Sequence, residues 1–173
     1  MAEAFATPTV DPFPASISSA VRDATVEFFR STCGFNCEEI APPRNIGGGD
    51  EIMSTISFVG NPSWVYSLVL SGETAVKVAK VFAGFDIPFD SPDMGDVVGE
   101  VVNVIAGGIC ARLDAKGIKA QMSLPTVARG ANLSVLVPSG AVATRIQLTG
   151  PNGPIGILLV KNHHTSQGQR FGN

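Results

Sequence analysis

The chain has 173 residues, 45% of them apolar and 16% charged, with a formal charge of −3. That composition belongs to a globular chain with length for one domain and a sizeable core, and it excludes an intrinsically disordered protein. No Lys/Arg cluster exceeds two neighbours, so the basic stripe of a nucleic-acid binder is missing and no nucleic-acid partner is expected.

Residues 1–12 (MAEAFATPTVDP) are expected as a flexible N-terminal segment, without the basic and apolar regions of a signal peptide. Over 17–32, Ile17, Val21, Ala24, Val26, Phe28 and Phe29 recur at near-helical spacing, and Gly34 is the stop. A short strand is expected at 36–42. Gly47-Gly48-Gly49-Asp50 lacks the Lys-Ser/Thr of a phosphate-cradling loop and reads as a turn. Two alternating runs, 52–60 and 63–71, form a hairpin through Asn61-Pro62. Ser71 caps a helix over 73–83, which Gly84 ends. The link 85–93, with two prolines and three aspartates, divides the chain into halves.

The second half repeats the plan of the first. A long helix over 93–116 stops at Gly117, and strands are expected at 118–124, 131–137, 141–149 and 154–161. The result is a single domain over 13–161 followed by a polar tail over 162–173. His163 and His164 are the only histidines, and in that tail they read as surface residues. Three cysteines, Cys33, Cys37 and Cys110, point to reduced thiols in the cytoplasm. No second pair or nearby His makes a metal site of Cys33 and Cys37. The most apolar stretch, 97–109, is interrupted by Glu100 and Asn103 and is shorter than the roughly 20 residues of a membrane span, so no membrane partner is expected.

Chemistry concentrates on DMGDVVGEVVNVIAGGICARLDAKG, residues 93–117. At about 100° per residue, Asp96, Glu100, Asn103 and Gly107 fall within about 60° of one another. Val98, Val102, Ile105, Ala106, Ile109 and Leu113 form the opposite, core-facing stripe. An ordinary solvated face would mix Lys and Arg with Glu, but this one has no cation before Arg112. Gly107 and Gly108 weaken the helix interior by about 1 kcal/mol each, and on the polar stripe a glycine leaves room for another backbone. Glu100 and Asn103 stand one turn apart. A carboxamide is no base at neutral pH, but it donates and accepts hydrogen bonds at once, which suits it to aim a water molecule. Water aimed at an electrophile activated elsewhere points to phosphoryl transfer, whose loose transition state asks for positioning and charge neutralisation. A metal- or nucleophile-dependent hydrolase would need an internal His, a ligand cluster or a nucleophile elbow, and none is present.

The run Gly99-Glu100-Val101-Val102-Asn103-Val104-Ile105-Ala106-Gly107, with Leu113, Gly117 and Leu124-Pro125-Thr126-Val127-Ala128-Arg129-Gly130, resembles the CheX branch of the CheC/CheX/FliY phosphatases. The family motif is an acidic or Ser residue, three residues, E-x-x-N, and a later Pro. Asp96, Glu100 and Asn103 fit it, and Pro125 arrives one residue early. Cys33-Gly34, Ile56-Ser57-Phe58-Val59-Gly60 and Glu73-Thr74-Ala75 extend the resemblance over residues 13–161. It implies an α+β fold of the CheC type: an antiparallel sheet covered by two long helices, with helix-plus-strands halves about a pseudo-two-fold. It implies a phosphatase for the aspartyl phosphate of a CheY-like response-regulator receiver, in which Asn103 orients the water and Glu100 pairs with the receiver's lysine. Asp96, Gly99, Gly107 and Pro125 would contact that partner. Mg2+ would sit on the receiver, so this chain needs no cofactor or metal of its own. The first-half helix offers Asp23 and Glu27 but no E-x-x-N, so one site per chain is implied, in a homodimer joined through sheet edges. The alternative is a non-catalytic module that binds a receiver or a flagellar-switch partner.

Overall fold

The computed structural model describes residues 13–41 and 49–162. The expected N-terminal segment, Gly47-Gly48 of the glycine run and the tail from residue 163, with His163 and His164, lie outside the described residues.

Helix α1 (Ala15–Ser31) buries Ile17, Val21, Ala24, Phe28 and Phe29 on one stripe. It ends where Gly34 turns left-handed, with φ +73°, and Phe35 N donates to the Phe29 carbonyl. Strand β1 (Glu38–Ile40) follows. The alternating runs become β2 (Asp50–Gly60) and β3 (Trp64–Ser71), joined through a cis Asn61-Pro62 peptide. Helix α2 (Gly72–Ala83) starts where the Ser71 side chain accepts from Thr74 N, and Gly84 closes it at φ +84°. Helix α3 (Pro92–Asp114) comes next, then β4 (Ala120–Met122), β5 (Thr126–Ala131), β6 (Ala141–Gly150) and β7 (Gly153–Asn162).

The seven strands form one antiparallel sheet in the order β1-β6-β7-β3-β2-β4, with β5 also on β2. Hairpins β2–β3 and β6–β7 meet at the central β3–β7 pair. Each half also lends a strand to the other: β1 pairs with β6, while β4 and β5 pair with β2. The pseudo-two-fold, antiparallel α+β fold implied by the resemblance is therefore present. All three helices contribute to one core with the inward strand residues Ile52, Ile56, Phe58, Trp64, Tyr66, Leu68 and Leu70. Helix α2 joins the helical layer, its Phe82 ring 5.9 Å from that of Phe28.

One strand expectation needs correction. No strand forms at 131–137, and the strand in this region is β5, Thr126–Ala131, paired with β2 from Thr55 to Asp50. The pairing strands end at Ala131, opposite Asp50, and resume at Ala141, opposite Asn162. The chain leaves β5 at Asn132, which is left-handed at φ +53°, and enters β6 through a turn in which Ala141 N donates to the Pro138 carbonyl. Leu133 N donates to Glu51 Oε2 at 2.9 Å, and Glu51 alternates with the core residue Ile52, so its side chain is on the face without helices. The segment crosses that face, with Leu133, Val135 and Val137 half-buried and Ser134 and Leu136 exposed. Period-two alternation is satisfied by lying across a sheet as well as by joining it.

By length and composition alone the 23 residues of α3 could cross a membrane, because the helix runs beyond the interrupted stretch 97–109. Most of its apolar side chains are packed in the core instead: Met94, Val98, Val101, Val102, Ile105, Ala106, Ile109 and Leu113 are buried, and Val104 is exposed.

Candidate functional site

The N-terminus of α3 is fixed by local chemistry. The Ser91 side chain accepts from Asp93 N at 3.1 Å, Pro92 takes the first turn where no N–H is needed, and Asp93 faces the positive end of the helix dipole. Arg129 of β5 clamps this turn. Its guanidinium donates to the carbonyls of Phe89 and Ser91 and lies 5.7 Å from the Phe89 ring centroid. Further along, a Cβ built on Gly99 would sit 3.5 Å from Val127 and 3.7 Å from Pro125. At the far end the Cys110 thiol approaches the Ala120 carbonyl at 3.7 Å. Residues 120–129 therefore run antiparallel along one edge of α3 as a strap.

Beside that strap lies the polar stripe. Asp96 and Glu100 are exposed, and Asn103 and Gly107 half-buried. Asn103 Nδ2 donates to Glu100 Oε2 at 3.4 Å, a long contact made through the amide nitrogen. The cations of α3 and the turn after it are engaged at its C-terminal end. Arg112 donates to the Gly108 carbonyl at 3.0 Å, Lys116 to Ser19 Oγ at 2.9 Å, and Lys119 pairs with Asp114. Asp96 and Glu100 are left without an internal cation among the described residues. A Cβ built on Gly107 meets nothing within 4 Å, so this glycine answers no packing need inside the chain. The stripe can present a carboxylate, a carboxamide acceptor and open backbone to another molecule.

The structure brings Asp96, Glu100, Asn103 and Gly107 onto one surface. Pro125 is at its border. Gly99 is different: it was expected on the contact face, but it is buried beneath Pro125 and Val127 and serves the strap. Sequence reasoning missed two neighbours. Val104 follows Asn103 and is 43% exposed, and Leu124 precedes Pro125 and is 86% exposed. The 100° repeat puts Val104 beside the polar stripe and outside the core-facing one, a signal for its exposure, whereas nothing in the sequence marks Leu124.

The counterpart of this stripe on α1 is not Asp23 and Glu27. Glu27 is tied to Arg30. Helices α1 and α3 meet at Ala24 and Gly108, where a Cβ on Gly108 would lie 3.5 Å from that of Ala24. Equating these two residues pairs the buried Ile17, Val21, Thr25 and Phe29 with the buried Val101, Ile105, Ile109 and Leu113. Ser16 then corresponds to Glu100 and Ser19 to Asn103, and Lys116 donates to both of those serines.

The thiols offer no competing chemistry. Burial pushes Cys33 and Cys37 up to about 11, with the neighbouring Cys37 adding to the effect on Cys33, and burial also raises Cys110. Thiols so shifted are neutral near pH 7 and therefore poor nucleophiles. Among the described residues no three His, Cys, Asp or Glu side chains converge as a metal cage.

The family model described as chemotaxis phosphatase CheX matches residues 52–149, more than half of the chain. No curated protein matches the sequence. Several solved structures share the fold. A CheC-like superfamily protein from Shewanella sp. PV-4 is 18% identical, with a TM-score of 0.77, over 87% of this chain and 99% of that one. The chemotaxis protein CheX from Desulfovibrio desulfuricans is 22% identical, with a TM-score of 0.69, over 84% and 99%. A chain of the CheX–CheY–BeF3–Mg2+ complex from Borrelia burgdorferi is 22% identical, with a TM-score of 0.67, over 84% and 96%.

Proposed function

Because the chain belongs to the CheX family of chemotaxis phosphatases, we propose that it hydrolyses the aspartyl phosphate of a CheY-like receiver, using Glu100 and Asn103. The observation that carries this reading is the pair itself: an exposed carboxylate without an internal cation among the described residues, one turn from a half-buried carboxamide whose nitrogen is the atom turned to it. The Borrelia relative, a CheX held in complex with CheY, BeF3 and Mg2+, supports a partner of this kind.

In the proposed mechanism the receiver docks its phosphorylated aspartate over α3. The Asn103 amide oxygen accepts a hydrogen bond from one water and aligns it behind phosphorus. Water oxygen bonds to phosphorus as the bond to the aspartyl oxygen breaks, which regenerates the carboxylate and releases inorganic phosphate. Glu100 accepts from a lysine ammonium of the receiver and so holds the two proteins in register. This chain's contribution is positioning, which suits a loose transition state. Mg2+ belongs to the receiver in this reading and would neutralise charge on the phosphoryl oxygens. The chain would act in the cytoplasm, as a homodimer through the outer edge of β1 or β5.

The test is dephosphorylation of phosphorylated receivers with and without the protein. Asn103→Ala should remove about a hundredfold of acceleration if aiming the water contributes ~2.7 kcal/mol. Undiminished acceleration by both Asn103→Ala and Glu100→Ala would refute the assignment of the site. Binding without any acceleration by the wild type would favour the non-catalytic alternative.

A further inference from the structure

We propose that Leu124 and Val104 are the apolar anchors that hold the receiver on the stripe and so set its affinity, an inference that rests on the function proposed above. Both side chains are more exposed than their chemistry favours, at 86% and 43%. They also stand on opposite sides of the polar stripe. Leu124 adjoins Pro125, which packs over Gly99, the residue before Glu100. Val104 follows Asn103 and projects from the side of α3 away from the strap, about 100° around the helix from Asn103.

The occupant follows from the chemistry between them. A phosphoryl group on another protein reaches Asn103 only if that protein covers its surroundings. A standard interface buries about 800 Å² on each partner, a disc roughly 16 Å in radius. Val104 follows Asn103, and Leu124 adjoins Pro125, which packs over Gly99 one turn before Asn103, so a disc of that size centred on Asn103 takes in both. Buried there, they gain from the hydrophobic effect and keep bulk water from the Glu100–lysine pair, which is stronger in a drier surrounding. The receiver surface next to its phosphorylated aspartate must accordingly offer apolar side chains to each.

The experiment is steady-state dephosphorylation of receivers phosphorylated with acetyl phosphate, using the full chain and the variants Leu124→Asp and Val104→Asp. Leu124→Asp should raise KM at least about tenfold, as for an interface anchor, and change kcat at saturating receiver less than twofold. Val104→Asp should act in the same direction. Leu136→Asp is the control: Leu136 is 87% exposed, but on the segment crossing the opposite face, so it should leave KM and kcat as they are. Thermal melts of each variant separate lost contact from lost fold. Unchanged KM in both Leu124→Asp and Val104→Asp, with wild-type turnover intact, overturns the inference and leaves the proposed function standing. A fall in kcat without a rise in KM overturns it too. Absence of wild-type turnover on every receiver removes the function and the inference together.

Discussion

Replacing Gly107 by alanine should make the protein more stable and less active. The glycine lies inside α3, seven residues before its end. Glycine in a helix interior costs about 1 kcal/mol relative to alanine, mostly through backbone entropy. The new methyl group meets no atom within 4 Å, so no steric term opposes that gain. For a chain of this size about 1 kcal/mol corresponds to a rise in Tm of roughly 2–4 °C. Gly95→Ala is a matched control, since a Cβ there also meets nothing within 4 Å but points away from the stripe. Gly108→Ala would bring its methyl to ordinary contact, 3.4 Å from Arg112 Nη1 and 3.5 Å from Ala24 Cβ, and should also be tolerated. Circular-dichroism melts measure the stability, and dephosphorylation of a phosphorylated receiver measures kcat/KM. All three variants should melt higher, and Gly107→Ala alone should lose activity, by about tenfold if the methyl forfeits ~1.4 kcal/mol of contact. A stabilised Gly107→Ala with undiminished kcat/KM would refute the idea that a partner's backbone approaches this point. A lower Tm would refute the open geometry itself.

Ser91→Ala removes the acceptor for Asp93 N and should cost about 1 kcal/mol, read as a shift in denaturant midpoint; an unchanged midpoint would mean that Arg129 fixes this turn without the cap. Cys37 is held neutral by burial, its thiol pushed up to about 11 from 9.0. Its alkylation, followed by peptide-resolved mass spectrometry, should quicken about tenfold per pH unit between pH 8 and 10, because the thiolate is the nucleophile. A rate already level at pH 8 would contradict the shift.

Helical periodicity made much of the candidate site legible. The 100° repeat placed Val98, Val102, Ile105, Ala106, Ile109 and Leu113 inward and Asp96, Glu100, Asn103 and Gly107 outward, and burial follows that division. Capping was equally local: Ser71, Gly34, Gly84 and Gly117 stop or start elements where their own chemistry requires. Pairing was not local. Alternation in LSVLV, residues 133–137, marks extended chain, but whether that chain joins a ladder depends on which strand edge is free, and the β2 edge is taken by Thr126–Ala131. Conversely, Arg129-Gly130 breaks the alternation of β5, which forms because β2 has an unpaired edge there. The burial of Gly99, which the resemblance puts on the partner face, has the same origin. Wheel geometry puts it near the stripe's border, and only the strap decides that Pro125 and Val127 cover it. The exposure of Leu124 depends on that strap too.

The two halves are built alike, so the difference between α1 and α3 needs a cause. Equating Ala24 with Gly108 makes Thr32 the counterpart of Lys116. On the α1 side, Lys116 reaches across to the Ser16 carbonyl and the Ser19 hydroxyl, so a cation of the chain itself occupies the place that matches Glu100 and Asn103. On the α3 side the corresponding residue is an uncharged threonine, Arg30 in the last turn of α1 is tied to Glu27, and Arg112 of α3 donates to the Gly108 carbonyl. Restoring a carboxylate at Ser16 would therefore pair it with Lys116 at once and present no free charge to a partner. Glu100 has no such competitor. Its availability is set by where the chain's lysines and arginines go as much as by its own position. That asymmetry, more than the E-x-x-N spacing alone, is what leaves one stripe of this pseudo-symmetric molecule open to a cation from another protein.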